Sequence, residues 1–171
     1  TAVLDAAGAE RALVVAGADG GPLSCLFAAT YPDRTLGLAL MNTAPRIAWA
    51  PDYPWGMRND EFDRELEAME AGWGTPEYAE EHAPWPMEGM TREEAVAWWL
   101  EWMRLSAAPG DAVALRQMFY DSDVRDVLGT IRVPTLVLSR GGEMEREAKA
   151  FAALIPGARH ETMPGSAPTV M

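Results

Sequence analysis

Residues 11–31, "RALVVAGADGGPLSCLFAATY", decide how the chain is read. "RALVVA" (11–16) is a short apolar run with adjacent β-branched residues, Val14 and Val15, the pattern of a buried strand. Gly17, Ala18, Asp19, Gly20, Gly21 and Pro22 then form a turn. "PLSCLFAATY" follows with helical spacing, which sets Leu23, Leu26, Phe27 and Tyr31 on one side. "PDRT" breaks the helix, and "LGLALMN" (36–42) reads as a second buried strand. Strand, glycine turn, helix and strand together predict a right-handed βαβ unit of a parallel sheet.

Outward from this unit, "TAVLDAAG" reads as a helix stopped by Gly8. The composition shifts from about Pro45 to Leu128, where all seven tryptophans fall, Trp49 to Trp102. "NDEFDRELEAMEAG" predicts an amphipathic helix with Asn59 as N-cap and Phe62, Leu66 and Met69 on one face. "TREEAVAWWLEWMRLS" opens with a capping box, Thr91 with Glu94. Val96, Trp99 and Met103 stripe one side of it, with Trp98 and Trp102 on the neighbouring side. "DAVALRQMFY" is a third helix and "DVRDVL" a short fourth. The sheet pattern then returns with "IRVPTLVLS" (131–139), the helix "EMEREAKAFAALIPG" and a final short strand in "ARHETMPG". The expected fold class is α/β, with residues 1–45 and 128–171 forming the core and 46–127 a helical insertion. Four parallel strands are expected near 11–16, 36–41, 132–139 and 158–163, in sequential order.

Composition narrows the function classes. Apolar residues make up 49% of the 171 and charged residues 23%, as in soluble globular chains. No apolar run reaches membrane-spanning length, and no signal-peptide pattern opens the chain. The single cysteine, Cys25, rules out an internal disulfide and fits a cytoplasmic location. The net charge of −12 argues against nucleic acid or an anionic membrane as partner. The glycine turn contains no phosphate-binding fingerprint, and two distant histidines with one cysteine give no metal-ligand spacing. No cofactor and no metal are expected.

The stretches "ERALVVAGADGGPLSCLFAATYPDRT", "APDYPWG", "DVRDVLGTIRVPTLVLSR" and "IPGAR" resemble the α/β-hydrolase superfamily. They are most similar to its actinobacterial-type members, some of which are joined to nucleotide cyclase domains. The resemblance implies a partial three-layer α/β-hydrolase fold, a parallel sheet of about four strands with a helical cap, descended from serine ester hydrolases. It also implies a nucleophile in G-x-S-x-G, on a strained strand-to-helix turn. Laid ungapped on that pattern, Ala16 takes the first glycine, Ala18 the serine and Gly20 the second glycine. Alanine cannot attack a carbonyl. A frame shifted by one residue gives G-x-D-x-G over Gly17, Asp19 and Gly21, as in epoxide hydrolases and haloalkane dehalogenases, with Asp19 as nucleophile.

The family's acid position falls on Glu143 in "SRGGE"; the alternative for Glu143 is to cap the helix that starts near Met144. The family's catalytic histidine falls on Pro168 in "PGSAP", which has no proton-accepting nitrogen. His160 reads as a strand residue and His82 as a surface or cap residue. Ser24 and Ser139 read as lacking a paired base, and Cys25 as a core thiol. Caps of this superfamily close over the nucleophile turn. Trp55, Trp73, Trp98, Trp99 and Trp102 are therefore candidates to line a pocket for a small apolar, ester-like ligand.

Family members also carry strands ahead of the helix at which this chain starts, and a closing helix. The resemblance therefore makes this chain truncated at both ends, with strand 11–16 left open for self-association or a partner. Two functions are open: an inactive or ligand-binding remnant, and an esterase- or epoxide-hydrolase-like enzyme working through Asp19.

Overall fold

The structure is a computed structural model that describes residues 1–87 and 89–164. Its elements are α1 (Ala2–Ala6), β1 (Ala12–Gly17), α2 (Gly20–Thr30), β2 (Thr35–Met41), α3 (Asn59–Gly72), α4 (Pro76–His82), α5 (Arg92–Ser106), α6 (Pro109–Asp121), α7 (Arg125–Leu128), β3 (Thr135–Ser139), α8 (Glu143–Ala153) and β4 (Arg159–Thr162). The chain divides into two compact units. Thr1–Arg46 and the described residues from Asp123 form a sheet unit, and Ile47–Ser122 a helical unit.

The sheet has the order β1-β2-β3-β4 with every pair parallel, as the sequence predicts. Val14 pairs with Leu38, Leu40 with Val137 and Val137 with His160. Alternation puts Ala16, Leu38, Leu40 and Val137 on one face, in a single buried cluster with residues from α2, α7 and α8. α8 seats through Ala148, Phe151, Ala152 and Ile155, the i, i+3, i+4, i+7 stripe of an amphipathic helix and the turn that follows it. Truncating Phe151 to alanine there would cost about 3–5 kcal/mol. The opposite face carries Leu13 and Val15, 61% and 57% exposed. The helices described in this unit thus give one layer over the sheet.

α2 is seated through Gly21, Pro22, Cys25 and Ala28. The side predicted from Leu23, Leu26, Phe27 and Tyr31 is the outer one, with Leu23 68% exposed. A helix this rich in apolar residues offers two candidate faces, and the small side chains take the one against the sheet because they allow close approach.

The chain's two crossings between the units lie side by side in the sheet unit. Val124 N–H donates to Pro45 O (3.1 Å), and Arg46 pairs with Asp123 at 2.6 Å. Arg125 also grips Asp123, at 2.8 Å. α7 packs against α2, so the short fourth helix of the sequence reading belongs with the sheet.

The helical unit has its own core, which includes Met69, Tyr78, Ala79, Met103 and Ala112. α3 and α6 are joined by a Phe62–Tyr120 ring stack (3.6 Å) and an Arg116–Glu65 ion pair (2.7 Å). The capping box at Thr91 and Glu94 forms as predicted. Asn59 does not cap α3: Arg58 holds that position, and the Asn59 Oδ1 accepts from Tyr120 O–H at 2.8 Å. Among the described residues no helix is long and apolar enough to cross a membrane.

Candidate active site at the strand-to-helix elbow

β1 ends at Gly17 and α2 begins at Gly20, so Ala18 and Asp19 alone make the turn. Ala18 has φ = 45°, in the left-handed region that alanine rarely enters. Such strain costs on the order of 1–3 kcal/mol and persists only where surrounding bonds fix it. Here Ala18 N–H donates to Met41 O (3.3 Å), Gly21 N–H to Ala18 O (3.4 Å), and Thr43 O–H also donates to Ala18 O. Asp19 has ordinary right-handed geometry (φ −69°, ψ −10°) and is the N-cap of α2, with no side-chain cap bond.

The glycines do different work. A Cβ on Gly20 would meet the Ala16 methyl at 3.8 Å, ordinary contact. One on Gly21 would collide with Thr43 Oγ1 and sit 2.7 Å from its Cγ2. Gly21, outside the ungapped motif, is therefore the residue that lets α2 approach the end of β2. Cys25, one turn on, is fully buried, and burial pushes its thiol up to about 12, so it carries no reactive thiolate at neutral pH.

Glu143 is the first residue of α8, directly after Gly142 (φ 83°). Pro168 lies outside the described residues. His82 ends α4, where its Nδ1 lies 3.1 Å from Tyr78 O and its ring stacks on Tyr78 at 3.9 Å, a structural role. His160 lies in β4, as expected. Ser139, however, is paired: its hydroxyl lies 2.8 Å from His160 Nε2, which corrects the expectation that it has no base beside it. Nothing local signals this contact across 21 residues of sequence; it follows from β3 and β4 being parallel neighbours. Glu145 is near the same cluster. Its hydrogen bond from Lys149 (2.6 Å), with smaller help from Thr162 and the His160 charge, holds its carboxyl below the usual range. Ser139 is only 1% exposed, so this serine–histidine pair satisfies a buried hydroxyl and presents no nucleophile to a substrate.

No family model matches the chain. The AB hydrolase superfamily protein YisY of Bacillus subtilis (strain 168) is 28% identical over 134 residues, 75% of this chain and 48% of that protein. Among solved structures, an esterase from Exiguobacterium antarcticum superposes with a TM-score of 0.77 at 20% identity, covering 94% of this chain and 60% of that one. A bromoperoxidase from Bacillus anthracis superposes with a TM-score of 0.79 at 16% identity, covering 94% and 62%. The chain has the α/β-hydrolase fold. It spans about half the length of the curated relative and about three-fifths of the two solved structures. In this fold the strand-to-helix turn is where a nucleophile is presented; in this chain that turn is Ala18 and Asp19.

Four of the five tryptophans singled out in the sequence meet in the helical unit. Trp99 and Trp102 stack at 4.6 Å, Trp98 lies 5.9 Å from Trp99, and Trp73 lies 6.1 Å from Trp102. Trp73 Nε1–H donates to Ala107 O at 3.1 Å, while the buried Trp99 Nε1 has no hydrogen-bond partner among the described residues. Trp55 is elsewhere, edge-on to Tyr53 at 5.4 Å. Trp98, Glu101, Trp102, Leu105 and Ser106 line an open groove of about 350 Å³ along α5. Among the described residues, no group of three or more His, Cys, Asp or Glu side chains could hold a metal ion.

Proposed function

We propose that this chain is an α/β-hydrolase-fold protein whose nucleophile position has been vacated, with Ala18 where a serine hydrolase places its serine. It does not turn over esters. The observation that carries this reading is the left-handed φ of 45° at Ala18 beside the ordinary helical geometry of Asp19. A nucleophile elbow is a strained turn, and the strained residue is the alanine. Asp19 starts the helix instead, which argues against the frame that makes it the attacking group.

The base position is also empty on the sequence, since Pro168 stands where the family's histidine is expected. A hydroxyl without a base is a weak nucleophile, so both losses point the same way. What this account leaves to the chain is binding. The clustered tryptophans and the groove beside Trp98 and Trp102 suit a small apolar, ester-like ligand. The test is turnover of a short-chain nitrophenyl ester together with tryptophan fluorescence on adding a non-hydrolysable analogue. No turnover and a saturable fluorescence change are expected. Turnover abolished by Asp19→Asn would overturn the proposal in favour of the aspartate enzyme.

A further inference from the structure

We propose that the groove along α5 takes a quaternary ammonium head, so that the ligand of this chain is an organic cation with an apolar body. This rests on the reading of the groove as a ligand site and adds the charge of the ligand to it.

Helical spacing builds the groove from one flank of α5. Trp98, Glu101, Trp102 and Leu105 stand at i, i+3, i+4 and i+7, with Ser106 one residue on. Trp102 is held in place before any ligand arrives. Trp99 stacks on it at 4.6 Å, and Trp73 meets it edge-on at 6.1 Å. Trp73 is itself fixed by its indole N–H, which donates to Ala107 O at 3.1 Å. An aromatic wall that is already ordered loses little conformational freedom on binding.

The charge of the lining selects the sign of the ligand. Glu101 is the charged side chain among the five lining residues, and its carboxylate has no hydrogen bond or ion pair among the described residues. Arg104, on the same helix, is committed elsewhere: its Nε–H donates to Gly74 O at 2.8 Å. A carboxylate beside indole rings repels an anion, whereas a cation is attracted by both the carboxylate and the ring quadrupoles. The chain's net charge of −12 favours the same sign.

Hydrogen-bonding capacity then selects the kind of cation. A primary ammonium gives up a strong hydration shell and has three N–H donors to satisfy. The lining offers it the Glu101 carboxylate and the Ser106 hydroxyl, which is already bonded to Met103 O at 3.3 Å; the rest is indole and Leu105. A quaternary ammonium has no N–H to satisfy. Its methyl groups pack on the indoles while its charge stays within reach of the carboxylate.

The test compares choline with its uncharged carbon counterpart, the alcohol in which a tert-butyl group replaces the trimethylammonium. Both are titrated at low ionic strength into the chain and followed by proton–nitrogen NMR, in which each indole N–H gives its own peak. Choline should bind at least about fivefold more tightly than the alcohol and shift the Trp98 and Trp102 peaks. Ethanolamine, the primary ammonium, should bind more weakly than choline. Glu101→Gln, at an exposed position, should weaken choline about two- to fivefold and leave the alcohol unchanged. It removes one charge from a net −12, so a general attraction of cations to the chain would survive it. Trp102→Leu should erase the preference for choline over the alcohol. Equal affinities for choline and the alcohol at this groove would overturn the proposal and leave an uncharged ligand in its place, with the binding reading intact. Binding of neither would overturn both. Choline binding indifferent to Glu101→Gln, tighter binding of ethanolamine, or shifts confined to other indoles would overturn the proposal as well.

Discussion

Replacing Ala18 with glycine should stabilise the protein, which is unusual for a loss of side chain in a turn. Alanine at φ = 45° carries about 1–2 kcal/mol of steric strain, which glycine does not. Against this, glycine gives the unfolded chain more freedom, at a cost of about 0.5–1 kcal/mol. Ala18 is exposed, so little packing is lost with its methyl. The balance is a gain of about 0.5–1 kcal/mol, equivalent to a rise in Tm of roughly 1–4 °C for a chain of this size. Asp19→Gly is the internal control. At φ −69° glycine relieves nothing there, and that variant should lose about 0.5–1 kcal/mol. Urea unfolding followed by far-ultraviolet circular dichroism measures both. If Asp19→Gly stabilises and Ala18→Gly does not, the strained residue is the aspartate. The ungapped frame, with everything built on it, is then refuted.

Gly21→Ala should be severely destabilising, by about 2–3 kcal/mol or more, because its Cβ meets Thr43, whereas Gly20→Ala, with only ordinary contact at 3.8 Å, should fold normally; thermal melts of the pair decide this. Asp123→Asn should lower stability at neutral pH by about 1 kcal/mol, a modest value because the carboxylate is 30% exposed. Arg125 first, and Arg46 after it, hold the Asp123 carboxyl below the usual carboxylate range, so its contribution is present above the unfolded pKa of about 3.9 and is lost as pH falls below it. The wild type should therefore lose stability relative to Asp123→Asn on acidification below about pH 4, and equal slopes for the two proteins would count against the clamp.

Much of the sheet is legible because its strands are short apolar runs between clear breakers, and because parallel connections leave few orders open. The capping box at Thr91 is legible for a similar reason: its partners are three residues apart. What escapes the sequence is set by contacts between distant segments. The seating of α2 through Cys25 and Ala28 depends on which flank meets the sheet, and its spacing alone allows either. Asn59 carries a capping side chain, but Tyr120, from the end of α6, claims it. The Ser139–His160 pair exists only once β3 and β4 lie side by side. At the elbow, the residue types show that no serine is present. The choice between Ala18 and Asp19 rests on backbone geometry, because small residues on both sides satisfy either frame.

The central claim is that the elbow has no nucleophile and no base to activate one. Intact-mass spectrometry after exposure to a reactive fluorophosphonate, with peptide mapping of any adduct, tests it most directly, on the wild type and Ala18→Ser side by side. A hydroxyl placed at the elbow without a base stays unreactive, since catalytic groups act as a unit and the loss of one can cost about a millionfold. The account predicts unmodified protein in both samples. Rapid stoichiometric labelling of the Ala18→Ser variant at the introduced hydroxyl would reveal a working base and contradict the lost site. Labelling of the wild type at Ser139 would show that the serine–histidine pair between β3 and β4 is the nucleophile.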